Sequence, residues 1–262
     1  MADLSDFALL AVSDLPDLSD FDLALLDDSL ALLGKSRAER FADVLGQPCV
    51  CQGVWRHCAE WALQANGADR ARFCGLLWQS LRDGRSEHAP VVVLMGRHGG
   101  EGKSLILSPL REIFGEEHVQ ASPQPGSFPL LGIGAKKIAL LDEYTFDTEI
   151  LPLGTQLLWF EGKSFPVTRP QNSAQYHGHM LYRGKAPIFV TCKEAELGPL
   201  IAKAQLATAS GTPSEETMLL RRMAVFPFTV PLPIPAGLKI TSCGPCFARM
   251  VAECASQWVP QQ

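Results

Sequence analysis

The chain has 262 residues, 47% of them hydrophobic, with a formal charge of −5 and eight cysteines. That length and apolar content are ample for a core and suit one large α/β domain, or one of about 200 residues with appendages. No apolar run approaches about 18 residues and no basic, cleavable leader opens the sequence, so neither membrane spanning nor secretion is expected; the reading is an intracellular protein with reduced thiols.

The charge is unevenly spread. Residues 1–34 hold eight aspartates and no lysine or arginine, so the rest of the chain is mildly basic at +3 behind an acidic leader. The phrase DLSDF occurs at 3–7 and again at 17–21, and Leu18, Phe21, Leu25 and Leu26 fall on helical spacing with Ser19 or Asp20 as a cap. This segment reads as a docking element or a mimic of a nucleic-acid backbone; a poorly ordered leader is the plainer alternative.

Residues 35–85 read as a small helical region. Val54, Cys58, Trp61 and Ala62 form one apolar stripe, Gly67 stops it, and Phe73, Leu76, Leu77 and Leu81 form another. Cys49, Cys51 and Cys58 with His57 invite a zinc site, but no second ligand pair stands at finger-like spacing, so a metal is not expected there.

Residues 91–107, VVVLMGRHGGEGKSLIL, carry a β-branched run, a glycine-rich turn and a Lys-Ser pair in immediate succession. This order predicts a strand, a phosphate-binding loop and a helix. The loop's backbone N–H groups, around Gly99, Gly100, Glu101 and Gly102, would wrap a phosphate. Lys103 would face the β- and γ-phosphates, the Ser104 hydroxyl would meet Mg²⁺, and the helix N-terminus would face the anion. In G-x-x-x-x-G-K-[ST] the first glycine should fall at Arg97; it stands at Gly96 instead.

Pro109 behind Ser108 splits residues 103–114 into two short helical pieces. Residues 121–134, rich in Pro and Gly, form a loop. Residues 138–141 make a second buried strand that ends in Asp142-Glu143, where Asp142 suits Mg²⁺ and Glu143 suits polarising the attacking water. Residues 148–160 read as a helix with Ile150, Leu153, Leu157 and Leu158 on its apolar side. The stretch 165–183 reads as two extended arms about a polar tip. Arg169, His177, His179, Arg183 and Lys185 beside Tyr176 and Tyr182 would track a phosphate backbone and stack a base; a solvated hairpin is the alternative, and His177 with His179 lacks a third metal ligand.

Residues 187–191 form a third buried strand leading through Thr191 and Cys192 to Lys193, positions from which a polar group can sense a γ-phosphate. Arg221 and Arg222 precede another strand, and either would serve as an arginine finger in a neighbouring subunit, an effect of about 10³ to 10⁵ in rate. Cys243-Gly244-Pro245-Cys246 has the form of a thioredoxin redox motif, but too little chain follows to supply that fold, so it reads as a turn with reduced thiols at the head of a helix.

Taken together, RHGGEGKS, IALLDE, the stretch WFEGKSFPVTRPQN through LYRGKAPIFVT, and LLRRMAVFPF, in that order from about residue 72 to 231, resemble a superfamily 3 helicase domain of the parvoviral and mobile-element type. The resemblance implies an AAA+-like P-loop α/β ATPase with a central, mostly parallel sheet. Its parts would be an acidic leader at 1–34, helices at 35–85, the ATPase core at 86–235 and a tail or helix at 236–262. It further implies ATP and Mg²⁺ as cofactors, a hexameric ring, and 3′ to 5′ translocation on single-stranded or forked DNA in viral or mobile-element replication. In a eukaryotic setting the protein would be nuclear. The family's third motif ends in Thr-x-Asn where this chain has Lys193, and residues 1–71 are too short for the nuclease that often precedes the domain. A nucleotide- or DNA-binding scaffold that has lost turnover is therefore the second expectation, and a small-molecule kinase is disfavoured by the Asp-Glu ending and the late arginine pair.

Overall fold

The computed structural model describes residues 34–86, 89–126, 128–168, 179–209, 211, 214–235 and 238–258. The chain divides into two units, Met1–Ser36 and Arg37–Gln262, and the fold below is that of the second. The acidic leader and the helix expected within it lie outside the described residues.

Three helices open the unit: α1 (Arg37–Leu45), α2 (Val54–Ala65) and α3 (Arg70–Asp83). Asp69 caps α3 by accepting the Arg72 N–H at 3.0 Å, and Gly84 ends it in a left-handed turn that admits Arg37 and the Lys185 carbonyl where a side chain would clash. The stripe expected on α3 is the buried one: Phe73, Leu76, Leu77 and Leu81 all face the core. Of the stripe expected on α2 only Ala62 is fully buried: Val54 is 50% exposed, Cys58 and Trp61 are half-buried, and the helix also buries Trp55, Ala59 and Leu63. The rotation follows from Trp55, which is fully buried where Trp61 is only half-buried, and whose indole N–H also reaches the Leu105 carbonyl at 3.0 Å.

Five parallel strands form the central sheet: β1 (Val91–Gly96), β2 (Val119–Gln120), β3 (Ile138–Leu141), β6 (Ile188–Lys193) and β7 (Met223–Phe228), in the order β2-β3-β6-β1-β7. Such a sheet is covered on both faces, and alternate residues of each strand part company accordingly. Val92, Leu94, Ile138, Leu140, Phe189, Phe226 and Phe228 pack under α1 to α3 and the short helices α4 (Lys103–Leu107) and α5 (Pro109–Phe114). Val91, Val93, Ala139, Leu141, Ile188 and Val190 face the other layer. That layer holds α6 (Leu153–Glu161), α7 (Glu194–Ala209), α8 (Glu215–Leu220) and an antiparallel hairpin of β4 (Phe165–Thr168) and β5 (His179–Tyr182).

The helix expected from residue 148 begins only at Leu153, because Pro152 has no N–H to donate and stands as its N-cap. Its buried positions are Gln156, Leu157, Trp159 and Phe160, so Ile150, Leu153 and Leu158 are only half-buried. The C-terminal helix α9 (Gly244–Ala255) is no peripheral tail. Phe247, Ala248, Met250 and Val251 are fully buried against α1 to α3, and Phe247 meets the rings of Phe41 and Trp55 edge-on at 6.3 and 5.9 Å. Phe247→Ala should therefore cost about 3–5 kcal/mol, the usual range for deleting a buried aromatic, as read by urea denaturation followed by circular dichroism.

Candidate functional site

Strand β1 delivers the chain to the glycine turn at its C-terminal end, where Gly99, Gly100 and Gly102 take φ values of 94°, 76° and 87°. Only glycine occupies that region without strain, so the turn's composition follows from its geometry. Within the turn the N–H groups of Arg97, His98 and Gly99 converge on one Glu101 oxygen, Oε1, at 2.8, 2.6 and 3.0 Å. The other oxygen, Oε2, accepts from the Lys103 ammonium at 2.8 Å. Glu101 is 1% exposed. Burial alone would push its carboxyl up, but the Lys103 ammonium and the backbone donors of the loop outweigh it and hold the pKa down at about 2.

The loop is thus an anion cradle, with the chain's own carboxylate in it. This assigns Glu101 a position that its place among the loop residues did not reveal: it shapes the turn from inside. The displaced glycine also finds its reason here. A Cβ on Gly96 would collide with the Lys103 Nζ, which folds back across that residue. The glycine leaves room where the lysine crosses the backbone, one step before the expected position.

Beside the loop, β6 lies between β1 and β3 and pairs with both. This places Thr191 next to the end of β3. The Thr191 hydroxyl donates to Asp142 Oδ1 at 2.5 Å and accepts the Glu143 N–H at 2.9 Å, and the Tyr144 N–H donates to the Thr191 carbonyl at 2.8 Å. The Ser104 hydroxyl donates to the same Asp142 oxygen at 2.7 Å. Ser104 and Asp142, paired in the sequence reading only through a presumed metal, are in direct contact. Thr191 thereby orients the carboxylate. Glu143 takes φ 48°, a left-handed conformation uncommon for a residue with a Cβ, and its side chain is exposed. Such an outlier, fastened by Thr191, is the kind of strain that marks working sites.

A cleft of about 240 Å³ opens over this arrangement, lined by the glycine turn, Lys103, Ser104, Glu143, Thr191 and Lys193. Leu232 and Ile234 supply an apolar wall, and the Leu232 N–H is fixed to the Gly100 carbonyl at 2.9 Å. A second, larger cleft of about 870 Å³ adjoins it at Glu143 and continues past Asp142, Gln124 and Glu196. The helix behind the loop, α4, has only five residues, so main-chain N–H groups rather than a helix macrodipole provide the positive field.

The basic residues are elsewhere. Arg221 and Arg222 precede β7, whose register pairs Met223 with Val91 and Phe228 with Gly96. They sit at the opposite end of the sheet, roughly 17 Å from the loop at about 3.3 Å per residue. Arg222 is engaged within its own chain, 2.9 Å from Glu161 and donating to the Met218 carbonyl, whereas Arg221 is exposed. Arg183 and Lys185 are exposed at the base of the β4–β5 hairpin. Arg169, His177 and the side chain of His179 lie outside what is described. Among the described residues, no helix is long and apolar enough to cross a membrane.

Because Glu101 titrates near 2 rather than near the ordinary 4.5, its contribution is present above pH 4.5 and is lost as pH falls towards 2. At about 1.4 kcal/mol per pH unit the term is about 3 kcal/mol. Glu101→Gln should remove that part of the acid dependence, measured as the difference in unfolding free energy between wild type and variant from pH 7 to pH 2.

No protein-family model matches the chain, and a search of curated proteins finds no match. Among solved structures the chain is similar to three apo structures of the C-terminal region of NrS-1. One aligns at 14% identity and a TM-score of 0.46 over 82% of this chain. The A form aligns at 14% identity and 0.43 over 76%, and a second A-form structure at 15% identity and 0.40 over 70%. This chain spans less than half the length of each, at 47%, 43% and 38%.

Proposed function

We propose that the chain is a nucleoside-triphosphate hydrolase that couples ATP turnover to movement on DNA, as expected of a superfamily 3 helicase. The observation that carries this reading is the contact of Ser104 and Asp142 at the mouth of an anion-binding glycine turn. A hydroxyl on the first turn after the loop and a carboxylate at the end of a second strand form the oxygen pair that a magnesium ion takes beside a phosphate tail. The fit to an anion is supported by Glu101, whose carboxylate already draws three loop N–H groups to one oxygen.

On this reading the loop N–H groups orient the triphosphate and Lys103 neutralises it after exchanging its bond to Glu101 for one to phosphate. Ser104 and Asp142 would hold magnesium, which would offset charge on the phosphate oxygens. Thr191 keeps the Asp142 carboxylate turned towards Ser104. Glu143, exposed at the junction of the two clefts, accepts the proton of the attacking water, and Lys193 stands where it can meet the terminal phosphate. Single-stranded DNA would run along the hairpin, gripped by Arg169, His177, His179, Arg183 and Lys185. Arg221 is the better placed of the two arginines to serve a neighbouring subunit in a ring, since Arg222 is held by Glu161.

One observation favours a second reading, a scaffold that binds without turnover. The Lys103 ammonium is held by a buried carboxylate, and its side chain is only 10% exposed. In a working enzyme that bond must yield to nucleotide; in a scaffold it would persist.

ATP hydrolysis measured with and without single-stranded DNA separates the two. Lys103→Ala should lower the rate by at least about 100-fold while leaving the fold intact, and Glu143→Gln should lower it by about 10² to 10⁴ while retaining binding of a fluorescent ATP analogue. Wild-type protein that binds the analogue but hydrolyses no ATP with any DNA would establish the scaffold, and protein that binds none would refute both.

A further inference from the structure

The two cysteine pairs set aside in the sequence meet in space. Cys49 and Cys51 lie on the loop between α1 and α2, and Cys243 and Cys246 at the first turn of α9, yet their four sulfur atoms all lie within 4.8 Å of one another. The Cys49 Sγ is 3.5 Å from that of Cys51, 3.8 Å from that of Cys243 and 3.1 Å from that of Cys246, and the Cys51 and Cys246 sulfurs are 3.5 Å apart. Four sulfurs at about 2.3 Å from one tetrahedral zinc would lie about 3.8 Å from each other. All eight cysteines are free thiols. From this geometry we propose that Cys49, Cys51, Cys243 and Cys246 form a structural Zn²⁺ site that fastens the α1–α2 loop to the C-terminal helix.

Local structure at both ends is built for such a cluster. After Cys51 the chain turns through Gln52 at φ 51° and Gly53 at φ 82°, two successive left-handed residues, the first of them not glycine. The intervening Gly244 and Pro245 have structural reasons unrelated to redox chemistry. Pro245 occupies the first turn of α9, where no N–H is needed, and a side chain at Gly244 would press on Val44 and Ile113 at 3.2 Å. Arg249, one turn further along α9, donates to the Gln47 carbonyl on the same loop.

The site takes zinc rather than a catalytic metal because all four positions are filled by protein sulfur, leaving none open to water or substrate. Binding converts four thiols to four Zn–S bonds with release of up to four protons to solvent. Cys243 and Cys246 are 0% and 4% exposed, which removes the accessible nucleophile that a dithiol redox motif needs. Cys58, although close in sequence, is not among the four. The cluster joins positions nearly two hundred residues apart, so a metal there would hold α9 onto the helical layer that packs behind the nucleotide loop.

The full chain, expressed with zinc and iron salts both present and purified under a phosphine reductant without chelator, should contain one zinc per chain by plasma mass spectrometry. Titration with a mercurial should release that zinc. The double variant Cys49→Ser/Cys246→Ser should contain none, and Cys58→Ser should keep a full complement. Chelator should lower the melting temperature of the wild type, with recovery on adding one equivalent of zinc, and should leave that of the double variant unmoved. Folded wild-type protein free of zinc with all thiols reactive, zinc retained in the double variant, iron in place of zinc, or a Cys49–Cys246 disulfide found by peptide mapping would each overturn the proposal. The wild-type metal count and thiol reactivity decide the matter even where the double variant fails to fold.

Discussion

The hydroxyl of Thr191 is the pivot on which the candidate site depends. It donates to Asp142 and accepts from the Glu143 N–H, and so fixes the end of β3 relative to the glycine turn. This is possible only because β6 separates β1 from β3 in the sheet. One strand away from the strand that carries the loop, Asp142 meets Ser104 across a gap that a hydroxyl and a carboxylate close at 2.7 Å. A parallel sheet covered on both faces tolerates little shift between strands, since a slip of one residue would turn every buried side chain to the wrong layer. The site's precision therefore derives from the register of the core.

The glycine turn shows how a loop that favours anions is stabilised by the chain itself. Several N–H groups converging on one point are costly to leave without a partner away from water. Glu101 supplies that partner, and Lys103 balances its charge, so the turn is organised before any ligand arrives. On the proposed function, binding would be an exchange, phosphate for carboxylate around the same donors and the same ammonium. The affinity of such a loop reflects the difference between two anions rather than the full strength of either.

The helical layer behind the sheet holds the first and last parts of the folded unit together. The ring of Phe247 on α9 lies against Phe41 of α1 and Trp55 of α2, and the indole of Trp55 reaches the carbonyl of Leu105 just behind the glycine turn. A perturbation of α9 thus has a short packed route to the helix that carries Ser104. The convergence of Cys49 and Cys51 with Cys243 and Cys246 lies in this same layer.

The sequence alone determined what short-range chemistry dictates. The strand, turn and helix about the glycine loop, the break at Pro109, the buried strands ending at Asp142 and Lys193, the α3 stripe and the two arms of the hairpin all follow from period, branching and turn residues within a few positions. Tertiary structure decided whatever depends on partners distant in the chain. The buried face of α2 was set by Trp55, the start of α6 by Pro152, and the centrality of α9 by a core it alone completes. That Glu101 points into the loop, that Lys103 crosses Gly96, and that Thr191 rather than a loop residue orients Asp142 required coordinates. The cysteines make the point most plainly: each pair at its own spacing signifies little, and only the packing of α9 against the α1–α2 loop brings four sulfurs within bonding range of one ion. Hydrophobic periodicity is written locally, whereas side-chain convergence depends on the register of elements that the chain brings together only on folding.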